Sequence, residues 1–260
     1  MTKLLPVSPE NCANKSWLPL SGYGFAAGTQ FASIVAAELA KAVHALPLVF
    51  VQQANSFQLV ALLSLGPGEN LFVDSKGLWQ GAYIPACFRG HPFRLAKAPD
   101  GSNNILLCVD EDSGLVTGGN RTPFFDAEGK LTKPTQQIFE FLQSVWQNMH
   151  PTQQAVTALA NAGLLAPWPL RVKVGQKEIA VQGLLRIDEG KLYSMEEQAF
   201  LQLRKTLALP MAYAQLFSMA NVQILVRLAQ IRAEQKPQAP AEVDLNKLFG
   251  QEDLISFGDN

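Results

Sequence analysis

Apolar and polar positions change their period near the middle of the chain. In the first half the apolar residues come in short runs bounded by turn formers. LVFVQQ (48–53) and FQLVALLSL (57–65) flank Ala54-Asn55-Ser56 and predict two strands joined by a tight turn. GENLFVDSKGLWQGAYIP (68–85) predicts a hairpin in which Ser75-Lys76-Gly77 closes the loop, with Gly77 supplying the positive φ. Pairing Asp74 with Leu78 sets Trp79 opposite Val73 and Gly81 opposite Leu71, and Pro85 ends the second strand near Ile84. NILLCVD (104–110) is a short buried strand, and FFDAEGKLT (124–132) holds a turn of acidic-Gly type.

Helical spacing appears early only at Thr29–His44, where Phe31, Ile34, Val35 and Leu39 share one side and Pro47 follows. It dominates the second half. Ile138, Phe141, Leu142 and Val145 mark a helix from Thr135 to His150, with Pro151 breaking it and opening the next, which ends at Gly163. Leu170–Val174 and Glu178–Arg186 form a third hairpin around Gly175-Gln176-Lys177. SMEE (194–197) reads as a capping box for a helix to about Leu207, and Pro210 starts the last helix, to about Glu234. Residues 1–28, rich in Pro, Gly and Ser, are expected to wrap the surface. The expected fold class is α+β: a β-hairpin-rich N-terminal half, a helical C-terminal half, one compact body over residues 1–235, and a tail over 236–260.

Composition narrows the function classes. A net charge of −1 gives no whole-protein field for nucleic acid. The most apolar stretch, Met211–Ile231, carries Gln215, Asn221, Gln223 and Arg227, which suits a buried helix better than a membrane span. Three cysteines without motif spacing and three scattered histidines (His44, His91, His150) supply no zinc, haem or triad pattern. MTKLLPVSPENCANK lacks an apolar run of signal-peptide length, so reduced thiols and a cytoplasmic setting are expected. GPGEN lacks the Lys-Ser/Thr of a phosphate loop, and SGYGFAAG has no clear strand before it. No cofactor, no metal and no catalytic residue is assigned.

These words, in order from VAAELAKAVHALPLVFV through PGENLFVDSKGLWQGAYIP, CFRGHPF, LLCVDEDSG, PFFDAEGKLT, ALANAGLLAPWPL and VQGLLRID, resemble the bacterial SapC family over roughly residues 31–231. The family often has an aromatic or basic pair before its Pro-Phe, where this chain has Gly90 and His91. The resemblance implies an association with a bacterial surface layer or with peptide transport. It also implies genomic company with flavin-dependent tryptophan-halogenase-like proteins and cupin oxygenases, hence an accessory role.

Five candidates follow from the residues. Arg89 with His91 is either an anion pocket, since a guanidinium binds carboxylates bidentately, or a corner tie to a neighbouring acidic loop. Asp110, at a strand end, is either an acid-base or metal carboxylate or part of a solvated loop, capping it or pairing with Arg89. Trp79 is a candidate contact on the first hairpin. Cys87 is a conceivable thiolate nucleophile, although Cys-x-x-x-His is no known catalytic spacing. The tail is the fifth. Residues 236–260 carry two basic and five acidic side chains, and Leu245, Leu248, Phe249, Leu254, Ile255 and Phe257 are interspersed among them. Spacings of three and four suit a short amphipathic helix that docks on a protein or peptide partner, on the chain's own body, or on a second copy in a homo-oligomer. Gln251–Phe257 also matches the pattern Gln-x-x-Leu-x-x-Phe of sliding-clamp-binding peptides. The leading expectation is a non-enzymatic accessory or adaptor protein. An enzyme with a carboxylate/arginine pocket and a structural surface-layer component are the alternatives.

Overall fold

The computed structural model describes residues 3–99, 104–119 and 121–235. Its centre is a five-stranded antiparallel sheet in the order Leu165–Pro167, Leu184–Ile187, Leu48–Gln53, Ser56–Leu62 and Phe31–Ser33. The two central strands meet at Gln53↔Ser56 through Ala54-Asn55, with Ala54 at φ 51°. Leu48, Val49 and Phe50 are all fully buried, as are Ala61 and Leu62, so both faces of this sheet are covered.

Helix Ala208–Ser218 packs on the sheet through Gln215 and Ser218, polar residues fully buried there. Gln215 accepts the Ile187 N–H (2.8 Å) and donates to the Leu48 carbonyl (3.3 Å), while the Leu48 N–H donates to the Ser218 hydroxyl (3.0 Å). Each of these side chains satisfies a backbone group in the core, which is why burial does not penalise it. A 3-10 turn at Met219–Asn221 separates this helix from Val222–Gln235. Together Ala208–Gln235 is long and apolar enough to cross a membrane by length and composition; here Met211, Ala212 and Leu225 are fully buried against the sheet and its neighbours.

A second, smaller core contains Cys12, Trp17, Phe93, Leu107, Val109 and Phe124. Two three-stranded antiparallel sheets enclose it: Leu4–Pro6, Ile105–Asp110 and Phe93–Lys97, and Val116–Gly118, Lys15–Trp17 and Thr122–Pro123. Trp17 meets Phe93 edge-on at 5.2 Å, and its indole N–H donates to the Thr135 hydroxyl (3.1 Å). The long helix Lys133–Asn161 joins the two cores. Its first turns present Ile138, Phe139 and Leu142 to the small core, and its last turns bury Ala155, Val156 and Leu159 in the large one.

Several expectations are corrected. Residues 1–28 supply two strands, each three residues long and too short to show a period. The helix expected from Thr29 is a strand at Phe31–Ser33, because tertiary pairing with Val60–Leu62 outweighs local spacing, and only Ala36–Ala42 is helical. Pro151 does not break the long helix. Its missing N–H is tolerated where both ends of the helix are anchored in different cores. SMEE is no capping box, for Ser194 ends the helix Glu189–Tyr193 and donates to the Gly190 carbonyl (3.0 Å). In the third hairpin, Leu170–Val174 pairs with Lys177–Val181, and Leu184–Ile187 leaves to join the central sheet. The tail candidates Leu248, Phe249, Leu254 and Phe257 lie outside the described residues.

Candidate functional site

The first hairpin is shorter than its sequence suggests but keeps the expected register. Val73 bridges Trp79, the Asp74 N–H donates to Leu78 (3.0 Å), and Gly77 has φ 78°. Instead of continuing as strands, the chain folds Trp79 flat onto Phe72, with ring centroids 5.2 Å apart and planes 11° apart. Gly81 lies against this pair, since a Cβ there would come within 2.8 Å of both rings. The Trp79 Nε1 atom is buried without a hydrogen-bond partner among the described residues. Trp79 therefore belongs mainly to an aromatic cluster with Tyr23, Phe72 and Phe88.

After Pro85 the chain makes the short helix Ala86–Arg89, and the residue that fixes it is Glu38. The Glu38 side chain is buried and accepts three donors: the Ala86 N–H (2.7 Å), the Tyr83 hydroxyl (2.8 Å) and the Val35 N–H (3.0 Å). Burial, reinforced by this bond to Glu38, pushes the Tyr83 hydroxyl well above its ordinary value. Arg89 then donates to the Tyr83 oxygen (3.3 Å) and lies over the Phe141 ring at 4.8 Å and the Tyr83 ring at 5.6 Å. The expected tie from Arg89 to an acidic loop is replaced by these aromatic contacts, with Tyr83 standing between the guanidinium and Glu38.

Arg89 and Asp110 do not pair. Asp110 is buried and caps the turn after its strand, accepting the Asp112 N–H (3.1 Å). Glu111 pairs with Lys3 and Lys15, and the hydrogen bond from Lys15 followed by that from Lys3 pulls its pKa down to about 2. The acidic run Asp110–Asp112 is thus spent on holding the N-terminal strand. Among the described residues no three His, Cys, Asp or Glu side chains gather as metal ligands.

His91 and Cys87 face an open groove of about 480 Å³ on the other side of the corner. Its walls come from three places: Phe31–Ser33, Phe93–Leu95, and Leu142, Trp146 and Met149 of the long helix. His91 stacks on Phe25 at 3.8 Å with planes 12° apart. Burial lowers its pKa, opposed in part by Asp110, so the ring is neutral at pH 7. Cys87 opens to solvent at the rim but is crowded from within. That desolvation, with the Glu38 charge adding, pushes the thiol up to about 12. The thiol is therefore held protonated at pH 7, which makes Cys87 a poor nucleophile.

Both strands lining the groove are sheet edges. Leu63 donates to the Gln30 carbonyl and Ile34 to the Leu59 carbonyl, so Gln30, Ala32 and Ile34 occupy the hydrogen-bonded positions. The alternation of an antiparallel ladder turns the N–H and C=O of Phe31 and Ser33 outward. The Ser33 N–H faces the Cys87 sulfur. On the other strand Asp110 donates to the Pro92 carbonyl and Ala98 to that of Asn104, so the N–H and C=O of Leu95 also point away from their sheet. Among the described residues no further strand pairs with either edge.

The sequence pattern that defines SapC matches residues 7–225. The chain belongs to the SapC family. No curated protein and no solved structure matches it. Of the residues singled out in the sequence, the fold brings His91 and Cys87 into the SapC groove, sets Arg89 and Trp79 behind its corner, and uses Asp110 as a cap. Glu38, Phe25, Phe31, Trp146 and Met149 were missed. The last two follow Leu142 at four and seven residues, a second apolar stripe on the long helix that its period does reveal.

Proposed function

We propose that this SapC protein is a non-enzymatic accessory protein that binds an extended segment of a protein or peptide partner in the groove beside His91. The observation that carries this reading is the pair of unpaired sheet edges opening on one aromatic-lined groove. An added strand gains main-chain hydrogen bonds from Phe31 and Leu95, and apolar side chains at alternate positions meet Phe25, Phe31 and Trp146. Exposed Arg94 on the rim favours a segment with an acidic residue at one end. The high thiol pKa of Cys87 and the structural use of Asp110 and Glu111 weigh against the carboxylate/arginine enzyme. The family resemblance directs the search for a partner first to halogenase-like flavoproteins and cupin oxygenases.

The test is selection from a random peptide library displayed on phage. Enriched peptides should share alternating apolar residues. Met149→Asp, a change at a side chain already 52% exposed, should weaken their binding at least about tenfold without loss of folding. Enrichment no better than a scrambled control, or binding indifferent to Met149→Asp, would refute the reading.

A further inference from the structure

A second groove, of about 710 Å³, lies between the first hairpin and the last helix. Leu71, Val73 and Leu78 line one side, and Leu228, Ile231 and Arg232 the other. Leu78 is 47% exposed and Ile231 39%, so two of the larger apolar side chains left open on the body face this one hollow. Its geometry is fixed from below. Arg232 donates to the carbonyls of Val73 (2.6 Å) and Asn70 (3.1 Å) and pairs with Glu69 (3.4 Å), clamping the helix to the hairpin. Asp74, the acid on the rim, is turned into its own loop, where it accepts the N–H groups of Lys76 and Leu78. The exposed Lys76 is left as a positive charge at the lip.

Gln235, the last residue of the helix, is itself part of the lining, so the chain leaves the described body at the mouth of this groove. We propose that the chain's own segment Val243–Phe257 turns back and docks there, covering Leu78 and Ile231. Pro237, two residues past the helix end, cannot continue it. Lys236–Glu242 is a connection of seven residues, inside the range of about two to eight that joins antiparallel helices. It reaches at most about 24 Å when extended. Leu245, Leu248 and Phe249 follow at spacings of three and one, one apolar face of a helical turn, to meet Leu228 and Ile231, also three apart. Charge favours the same seat. The segment from 236 onward carries net −3 and the rest of the chain +2, with Lys76 waiting at the lip. This docking is independent of the partner groove beside His91.

The test is hydrogen exchange on the full chain and on its Leu248→Asp/Phe249→Asp variant. In the variant the amides of 75–80 and 228–235 should exchange at least about tenfold faster, while those of Leu48–Gln53 stay unchanged and report an intact fold. The effect should be constant over about a hundredfold range of protein concentration, as an intramolecular contact requires. Equal exchange in the two proteins would overturn the proposal. So would a difference confined to Phe31–Ser33 and Phe93–Lys97, which would seat the tail in the other groove, or one that grows with concentration, which would make the occupant a second copy.

Discussion

Replacing Glu38 with alanine removes the acceptor on which the corner after Pro85 is built. Three donors lose their partner: the N–H groups of Val35 and Ala86, both in buried hydrogen bonds, and the Tyr83 hydroxyl, which is partly buried and keeps its contact with Arg89. A buried donor without an acceptor costs about 1–3 kcal/mol, and the hydroxyl can turn towards solvent at lower cost. The two amides alone therefore amount to about 2–6 kcal/mol. Water entering the space left by the side chain offsets part of this, which places the loss at about 3 kcal/mol. For a body of this size that corresponds to a fall in Tm of about 6–12 °C. Glu38→Gln retains the shape and one acceptor oxygen but sets an amide N–H₂ against a donor, so it should fall between wild type and Glu38→Ala. Tyr83→Phe leaves both amides satisfied and should cost only about 1 kcal/mol. Thermal unfolding followed by circular dichroism ranks the three variants. A Glu38→Ala protein within about 2 °C of wild type, or one more stable than Tyr83→Phe, would refute the view that this carboxyl organises the corner.

Further outcomes are specific. Gly81→Ala should destabilise by about 1–3 kcal/mol, because its Cβ would meet Phe72 and Trp79 at 2.8 Å, and the intrinsic fluorescence of Trp79 should shift as the stack opens. Glu111, held at about 2 from an ordinary 4.5, contributes stability that is full above pH 4.5 and is lost as the pH falls through about 2. Denaturant midpoints measured across that window should slope less in Glu111→Gln than in wild type. Thr152→Val removes the hydroxyl that accepts the Ala36 N–H (2.8 Å), and should cost about 1–3 kcal/mol in equilibrium unfolding.

What the sequence made legible was local. The strands 48–53 and 56–62 stand out because each carries a run of four apolar residues, 48–51 and 59–62, and the Val73–Trp79 register follows from one glycine at positive φ. The turn at Asp126 was readable for the same reason, with Gly129 at φ 75° and Phe125 bridging Leu131. What stayed hidden depends on residues far apart in the chain. Phe31–Ser33 becomes a strand only because Val60–Leu62 is there to pair with it. Glu38 gathers donors from Val35, Tyr83 and Ala86, and no spacing rule links an acid to an amide 48 residues away. The groove needs two sheet edges and one helix face to meet, and periodicity describes each element singly. Arg89 misled because a guanidinium beside an acidic loop suggests an ion pair, whereas here two aromatic rings surround it.

The central claim is that an added strand occupies the groove between Phe31–Ser33 and Phe93–Lys97. Amide exchange resolved by NMR, with and without a saturating library-selected peptide, tests it most directly. The account predicts slowed exchange at the outward-facing amides of Phe31 and Leu95, with those of Ala32 and Arg94, already paired within their sheets, little changed. Peptide binding that leaves Phe31 and Leu95 unprotected, or protects only the groove beside the last helix, would contradict it.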